Sequence, residues 1–312
     1  MTSRFPTVVS GLELWQWRAM ARKAAIAADV PPGEVDWLLQ EIAGLDRLAL
    51  RLESFKNRND IELQLPLKDL EQLWQRRLHE RLPVQYIAGL APWRQFKVAV
   101  SPAVLIPRPE TEGLIDLAVA SGQNSGGIQL DQGHWADLGT GSGAIALGLA
   151  DALPAAVIHA VDVSPAALSI AQQNAHALGF AERINFYQGS WWEPLEFLKG
   201  QISGMVANPP YIPSLCVQQL QPEVAWHEPH LALDGGTDGL NCIRELVETS
   251  PTYLRSGGVW LIEMMAGQAD IVVTLLQSQG SYCNIQIHTD LAGIQRYALA
   301  YRSPNPQPLT PD

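Results

Sequence analysis

Four consecutive residues, Asn208-Pro209-Pro210-Tyr211, are of types that could bind a planar group bearing an NH2. They follow an apolar run, residues 202–207, that predicts a β-strand. Two successive prolines cannot donate to a sheet ladder, so the strand must end there and leave carbonyls without ladder partners. The Asn208 side-chain oxygen and the Pro209 carbonyl could each accept one NH2 hydrogen, with the Tyr211 ring against the same plane. A plain turn is the alternative interpretation, because Asn-Pro often begins a turn.

A second candidate site is the turn Gly139-Thr140-Gly141-Ser142-Gly143, which lies between a short predicted strand and a helix rich in alanine and leucine. Glycine permits positive φ and lets a ligand approach the backbone closely. Asp162 ends the next predicted strand, 23 residues after Gly139, where a carboxylate can accept hydrogen bonds from ribose hydroxyls. Position 144 is Ala, so the dinucleotide fingerprint G-x-G-x-x-G is incomplete. The G-x-G-x-G spacing is the form associated with S-adenosylmethionine.

Predicted strands and helices must position these two sites. The predicted strands are 135–138, 156–161, 184–187, 202–207, 259–264 and two near 284–288 and 296–301, and the predicted helices between them include 165–178, 238–254 and 267–278. This alternation predicts an α/β fold with a doubly wound, mostly parallel seven-stranded sheet. In the strand order 3-2-1-4-5, strands 1 and 4 flank the point where ligands bind. The glycine turn and the tetrapeptide are therefore expected to share one crevice.

The N-terminal part is expected to form a small helical domain. Residues 1–82 contain helical patterns starting after Ser10-Gly11, over 34–43 and over 66–82, with no strand signal between them. Both a simply solvated bundle and a substrate-docking bundle are consistent with this composition. Residues 83–108 are predicted to be a linker with a β-hairpin made of 93–96 and 97–100. Residues 109–312 then form the α/β domain, beginning at a helix first turn with Pro109 and Glu110.

Charge and cysteine content limit the possible functions. Residues 1–82 hold 12 Lys/Arg and 12 Asp/Glu, whereas residues 83–312 hold 9 and 20, which accounts for the net charge of −11. So few basic residues weigh against a nucleic-acid substrate. No apolar run reaches the roughly 18 residues of a membrane span, and no signal-peptide core precedes the first helix. Three widely spaced cysteines fit a reducing cytoplasm, where we expect the protein.

Taken together, the motifs resemble a known family. The sequence is similar to the protein-(glutamine-N5) methyltransferases of the HemK/PrmC type, which modify peptide chain release factors. The likeness covers residues from about 80 to 302, and it rests on the tetrapeptide and on four further motifs at residues 83–87, 105–112, 137–146 and 228–240. It implies a class I S-adenosylmethionine-dependent methyltransferase fold. It also implies that Gly139 to Gly143, Asp162, Trp191 and Asn208 bind S-adenosylmethionine, and that the tetrapeptide holds the glutamine of a Gly-Gly-Gln segment.

The sequence departs from the family pattern at a few positions. Ser190 stands where an acid commonly reaches the adenine amine, and His227 replaces a usual Tyr. Met264-Met265 interrupt a frequent Glu-x-Gly run, and Ile294-Gln295 stand where Arg-Asp is common. These changes affect the fine contacts and leave the cofactor and substrate motifs intact.

Methyl transfer to a carboxamide nitrogen requires no metal, and S-adenosyl-L-homocysteine is the expected product. His227-Glu228-Pro229-His230 offers too few ligand groups for a metal site. Two other hypotheses stay open. One is an exocyclic-amine methyltransferase of DNA or RNA, and the other is a non-catalytic cofactor-binding protein. We expect release factors as partners, and neither a membrane nor direct nucleic-acid binding.

Overall fold

The computed structural model describes residues 7–123 and 130–304, except for the side chain of residue 123. Over these ranges the chain forms two compact units. One runs up to Ala91 and also includes Gln221–His227, and the other comprises Pro92–Leu220 and the chain from Glu228 onward. The predicted domain limits at residues 1 and 312 lie outside the described residues, and the functional boundaries at residues 82 and 108 stay predictions.

The elements of the described residues are numbered in chain order. The helices are α1 (Gly11–Ala27), α2 (Gly33–Ala43), α3 (Arg47–Leu52), α4 (Leu67–His79), α5 (Val84–Ala88), α6 (Gly113–Gln123), α7 (Ala144–Ala152), α8 (Pro165–Ala177), α9 (Ser214–Val217), α10 (Pro222–Ala225), α11 (Asn241–Thr249) and α12 (Ala269–Gln279). The strands are β1 (Thr7–Val9), β2 (Ile61–Leu63), β3 (Leu90–Trp93), β4 (Phe96–Ala99), β5 (His134–Leu138), β6 (Val157–Asp162), β7 (Ile184–Gln188), β8 (Ile202–Ala207), β9 (Leu254–Glu263), β10 (Tyr282–Thr289) and β11 (Gln295–Arg302). None of these helices is long and apolar enough to cross a membrane.

The first unit is built from helices whose apolar faces meet. Ser10 caps α1, because its Oγ accepts the backbone N–H three residues further on at 3.2 Å. Helix α2 ends at Gly44 with φ of 60°, a left-handed conformation that glycine adopts without steric strain. Leu14 and Trp74 are fully buried in the shared core of this unit. The predicted helical patterns therefore form a bundle.

The prediction that no strand interrupts these helices is wrong. Strands β1 and β2 pair in antiparallel fashion, with Val9 opposite Ile61. Ile61 and Leu63 are buried and the residue between them is exposed, which is the alternation of a half-buried strand. Three residues are too few for that period to stand out in a sequence. Helix α4 also ends at His79, earlier than the predicted residue 82.

Segment 221–227 is held in the first unit by an ion cluster. The buried Arg77 guanidinium contacts both oxygens of Glu34 at 2.7 and 2.8 Å, and its third nitrogen contacts Glu223 at 2.7 Å. His227 Nε2 lies 2.5 Å from the backbone carbonyl oxygen of Glu80. A two-pronged contact between guanidinium and carboxylate fixes orientation as well as distance. These contacts anchor residues 221–227 although they lie far from α4 in the sequence.

The second unit confirms the predicted doubly wound, seven-stranded sheet. Its strand order is β10-β11-β9-β8-β5-β6-β7. Strands β9, β8, β5, β6 and β7 run parallel to one another, and β11 is antiparallel to both β9 and β10. The predicted neighbours, strands 1 and 4 of the sheet, are β5 and β8, with Asp137 opposite Val206. Their carboxyl ends lead into the glycine turn and the tetrapeptide.

Two further predicted element boundaries are wrong. The helix predicted over 238–254 is α11, which ends at Thr249, followed by a short turn and by β9 from Leu254. Pro251 has no N–H to continue a helix, which explains the earlier end. The hairpin predicted as 93–96 and 97–100 consists instead of β3 and β4, because the chain turns at Arg94 with φ of 50°.

Candidate active site

The glycine turn leaves β5 in a conformation that requires glycine. Gly139, Gly141 and Gly143 have φ of 80°, 55° and 83°. The N–H groups of Gly139 and Thr140 both donate to the Val161 carbonyl at 2.9 Å, which ties the turn to the end of β6. A Cβ added at Gly141 would meet no atom within 4 Å, so this part of the turn faces open space. The backbone is therefore accessible to a ligand.

Asp137 holds the glycine turn through hydrogen bonds, a role that was not predicted from the sequence. Its Oδ2 accepts the Thr140 hydroxyl at 2.6 Å and the Ala146 N–H at 2.9 Å. The side chain is fully buried, and this burial raises the pKa of Asp137 to about 7. Its position inside the motif 137–146 was the only signal for it.

Asp162, at the end of β6, closes the turn from the side. Its Oδ2 accepts the Gly141 N–H and its Oδ1 accepts the Ser164 N–H, each at 2.8 Å. Burial raises the pKa of Asp162, and the two backbone hydrogen bonds oppose that rise. Each oxygen keeps a lone pair, so the carboxylate can still accept from a ligand.

Trp191 lies across the opening of the glycine turn. Its ring carbon Cζ3 is 3.5 Å from the position that a Cβ on Gly139 would occupy. The indole N–H donates to Glu245 at 3.1 Å, and the residue has an unusual positive φ of 44°. The ring thus forms one wall of the space beside Asp162.

The tetrapeptide begins directly after β8. Asn208 Nδ2 donates to the Thr111 Oγ1 at 3.2 Å, and its Oδ1 makes no bond within the described part of the chain. Pro209 is buried and Pro210 is half-buried. A Cβ on Gly235 would lie 2.8 Å from the Pro210 carbonyl oxygen, so only glycine lets that loop approach the tetrapeptide. This contact explains one conspicuous glycine of the motif at residues 228–240.

A buried carboxylate, Glu263 at the end of β9, joins both ends of the tetrapeptide. Its Oε2 accepts the Thr111 hydroxyl at 2.7 Å, and its Oε1 accepts the Tyr211 hydroxyl at 2.9 Å. Glu263 is 1% exposed, and burial raises its pKa. Burial and the nearby Glu263 charge also raise the pKa of Tyr211. The phenol therefore stays neutral.

Arg108 and Glu228 fix the loop that precedes Thr111. Arg108 Nη2 lies 2.6 Å from Glu228 Oε1, and the Ile106 N–H donates to Glu228 Oε2 at 3.4 Å. Glu228 is almost completely buried, and burial raises its pKa although the Arg108 charge opposes the rise. The motifs at residues 105–112 and 228–240 therefore meet at one ion pair.

These groups surround a cavity of about 370 Å³. Of the residues predicted from the sequence, the cavity is lined by residues 139–142, Asp162, Trp191, Asn208 and Pro210. Gly143, Pro209 and Tyr211 are not among its lining residues. Gly143 is instead the N-cap residue of α7, and the Tyr211 hydroxyl donates to Glu263. The structure thus brings the two predicted sites to one cavity, while the role of each residue stays a prediction.

The departures from the family pattern fall in different places. Ser190 lines the cavity, and a weaker or water-mediated contact with the adenine amine at this position stays a prediction. His227 belongs to the first unit, and Met264 is fully buried in the core of the second. Among the described residues, no group of three or more His, Cys, Asp or Glu side chains could hold a metal ion. That the reaction needs no metal stays a prediction.

A seven-stranded sheet in this order, with a glycine turn after its first strand and an acid after its second, defines the class I S-adenosylmethionine-dependent methyltransferases. The catalytic domain of hMettl16, solved in complex with the MAT2A 3′UTR hairpin 6, has a TM-score of 0.53 at 14% identity, over 77% of this chain and 81% of that one. That likeness concerns the fold alone. The family model described as "Methyltransferase small domain" matches residues 127–225.

Curated relatives narrow the class to one family. A release factor glutamine methyltransferase from Synechocystis sp. is 53% identical over 94% of this chain and 97% of its own length. The release factor glutamine methyltransferase from Thermosynechococcus vestitus is 46% identical over 94% of this chain and 99% of its own length. The chain therefore belongs to the release factor glutamine methyltransferase family, and the resemblance drawn from the sequence is confirmed.

Proposed function

We propose that the protein transfers a methyl group from S-adenosylmethionine to the side-chain amide nitrogen, N5, of the glutamine in the Gly-Gly-Gln segment of peptide chain release factors. The observation that carries this proposal is the orientation of Asn208. Its Nδ2 is engaged by Thr111, so its Oδ1 is the atom left to accept a substrate N–H at the cavity. That both relatives are named release factor glutamine methyltransferases supports the release factor as substrate.

The residues around the glycine turn fit S-adenosylmethionine. The open backbone at Gly141 accommodates the methionine end, and Asp162 has lone pairs for ribose hydroxyls. Trp191 and Ser190 border the space for the adenine. A cavity of about 370 Å³ is within the size range of small-molecule sites. When bound, the cofactor would supply an electrophilic methyl group; the products are the N-methylated amide, S-adenosyl-L-homocysteine and one proton, which is acidic once the nitrogen is alkylated.

The substrate amide must be made more nucleophilic, because its nitrogen lone pair is delocalised into the carbonyl. Asn208 Oδ1 and the Pro209 carbonyl accept its two hydrogens, which fixes the nitrogen and draws electron density back to it. Such acceptors help most where charge develops in the transition state. The Tyr211 ring stacks on the amide plane in this proposal. Its hydroxyl is held by Glu263, which limits the ring to one orientation.

The helical first unit has a docking role in this proposal. Up to residue 82 it holds 12 basic and 12 acidic residues and is therefore neutral, unlike the acidic remainder of the chain. A protein lacking residues 1–82 should bind the cofactor but should methylate an intact release factor more slowly. An equal rate on the intact factor would remove the docking role. The cytoplasm, expected from the cysteine pattern, is the proposed location.

Methyl transfer from labelled S-adenosylmethionine tests the function directly. The substrates are a purified release factor, the same factor with Gly-Gly-Gln changed to Gly-Gly-Glu, and total nucleic acid. We expect label only in the unchanged factor, since the Glu variant offers no NH2. Asn208→Ala should reduce the rate by about 100-fold or more while most of the cofactor affinity is retained, the size of effect seen when a transition-state hydrogen bond is removed. Label in nucleic acid alone would refute the proposed function, whereas an unchanged rate for Asn208→Ala would refute the role assigned to Asn208.

A further inference from the structure

We infer that Thr111 and Glu263 are positioning residues that set the polarity of the substrate site, meaning the direction from donor to acceptor of its hydrogen bonds. Thr111 fixes which end of the Asn208 amide faces the substrate. The inference rests on the proposed function and extends it to two residues outside the tetrapeptide. Glu263 makes no contact with the cavity, whereas Thr111 lines it. Both act through other side chains.

Glu263 determines the direction of these hydrogen bonds. It is almost completely buried and bonds to both Thr111 and Tyr211. Both Glu263 oxygens accept a hydrogen bond in this structure, which is the arrangement of an ionised carboxylate, since that form has acceptors and no donor. The hydroxyls of Thr111 and Tyr211 must therefore both donate to it, at 2.7 and 2.9 Å. The hydroxyl hydrogen of Thr111 is then committed, and its oxygen can only accept from its other neighbour.

That other neighbour is Asn208. A Thr111 oxygen that can only accept selects the NH2 end of the Asn208 side chain, which matches the 3.2 Å contact from Nδ2. The carbonyl end, Oδ1, is thereby turned away from Thr111. With the amide reversed, an NH2 would meet the NH2 of a substrate glutamine, and neither could accept. The correct orientation is thus set before the substrate arrives.

The same carboxylate also fixes the far end of the tetrapeptide through the Tyr211 hydroxyl. Between the two ends lie Pro209 and Pro210, whose rings restrict the backbone. Glu263 on β9 therefore orients Asn208 Oδ1, the hydrogen-bond acceptor, through Thr111. It orients the Tyr211 ring through a direct hydrogen bond. This predicts that Thr111 affects the chemical step and leaves cofactor affinity unchanged.

Thr111→Val and Thr111→Ser form a matched pair of variants. Valine keeps the shape and loses the hydroxyl, whereas serine keeps the hydroxyl and loses a methyl group. With a release factor as substrate, we expect Thr111→Val to lower kcat by about tenfold, the upper range for one neutral hydrogen bond, and to keep KM within about twofold. Thr111→Ser should restore kcat to within about twofold of the wild type. Calorimetry should give equal cofactor affinities for all three proteins.

A double-mutant cycle with Asn208→Ala separates positioning from a general structural effect. If Thr111 acts through Asn208, adding Thr111→Val to Asn208→Ala should change kcat by less than about twofold. Losses that multiply would overturn the inference, as would a wild-type kcat in Thr111→Val or a loss confined to cofactor affinity. If Asn208→Ala itself keeps the wild-type rate, the role of Asn208 fails together with this inference; the proposed function itself fails only if the wild type does not label the release factor. If only Thr111→Val keeps it, the proposed function stands and this inference fails.

The unmodified protein offers a second test that needs no variant to fold. With asparagine side chains labelled with ¹⁵N, the Asn208 NH2 hydrogens should show a nuclear Overhauser effect to the Thr111 methyl group in the absence of substrate. Two interconverting orientations of the amide, or no such effect once the Asn208 signal is assigned, would overturn the inference.

Discussion

Asp137 should make the stability of the second unit depend on pH. The side chain is fully buried, with Oδ2 bound to Thr140 and Ala146 and with Oδ1 unpartnered among the described residues. Burial raises its pKa from 3.8 to about 7. Between those values the folded protein holds a proton that the unfolded chain has lost. The free energy of unfolding should therefore fall as pH rises through this window and level off above pH 7.

The size of the effect follows from the shift. Within this window, each pH unit changes the free energy of unfolding by about 1.36 kcal/mol. The two pH units between pH 5 and the folded-state pKa therefore correspond to about 3 kcal/mol. Asp137→Asn removes the titration and keeps an oxygen that can accept from Thr140 and Ala146. The stability of the wild type minus that of the variant should therefore fall by about 3 kcal/mol between pH 5 and pH 8.

Amide hydrogen exchange measures the difference in stability between the wild type and Asp137→Asn within the second unit. It does not require both units to unfold together. Protection of the β5 amides and of the Ala146 N–H would be compared in wild type and Asp137→Asn at pH 5, 6, 7 and 8, after correction for intrinsic exchange. A difference that stays level across this range would refute the reasoning. The Asp137 carboxyl ¹³C shift provides a check that needs no variant, and it should titrate near pH 7.

Three further predictions concern single side chains. Arg77→Met should destabilise the first unit by about 2 kcal/mol, because it leaves Glu34 and Glu223 without their cation while both remain partly in water; an unchanged urea midpoint would contradict this. Asp162→Ala should weaken S-adenosylmethionine binding by about 1.5–3 kcal/mol, the usual contribution of hydrogen bonds to a charged group; unchanged affinity by calorimetry, in a folded variant, would remove the residue from the ribose site. Glu263→Gln should lower kcat at unchanged cofactor affinity, because an amide accepts at one end only and cannot serve two hydroxyls; a wild-type kcat would show that neither contact matters.

The meeting of the glycine turn and the tetrapeptide at one cavity could be predicted from the sequence, because it follows from the strand order alone. Gly139 and Asn208 are far apart in the chain, yet each follows a strand of an alternating α/β pattern. In a doubly wound sheet those two strands are neighbours, and parallel strands end at the same edge. Knowing the strand order was therefore sufficient to place both sites at one cavity, without any side-chain geometry.

The contacts inside the cavity could not be predicted in this way. Thr111 looked like part of a helix first turn, and Glu263 like the end of a strand. Their hydrogen bond joins residues 152 positions apart, and no periodicity reports such a pair. The short strand β2 and the contact between Arg77 and Glu223 were missed for related reasons. The strand is shorter than two periods, and the contact links α4 to the short helix α10 in the other half of the chain.

Two carboxylates of the site, Asp162 and Glu263, have a property that shape alone does not provide. Each ends a strand, each is surrounded by donors, and each when ionised can only accept. A buried charge is costly, and a neutral side chain of the same size would relieve that cost. It would also bring an NH2 group that can donate, so the direction of the neighbouring hydrogen bonds would no longer be fixed. For a site that must distinguish an amide NH2 from a carboxylate oxygen, that direction determines the specificity. The Glu263→Gln variant therefore tests more than one contact, since it keeps the shape of the site and removes its polarity.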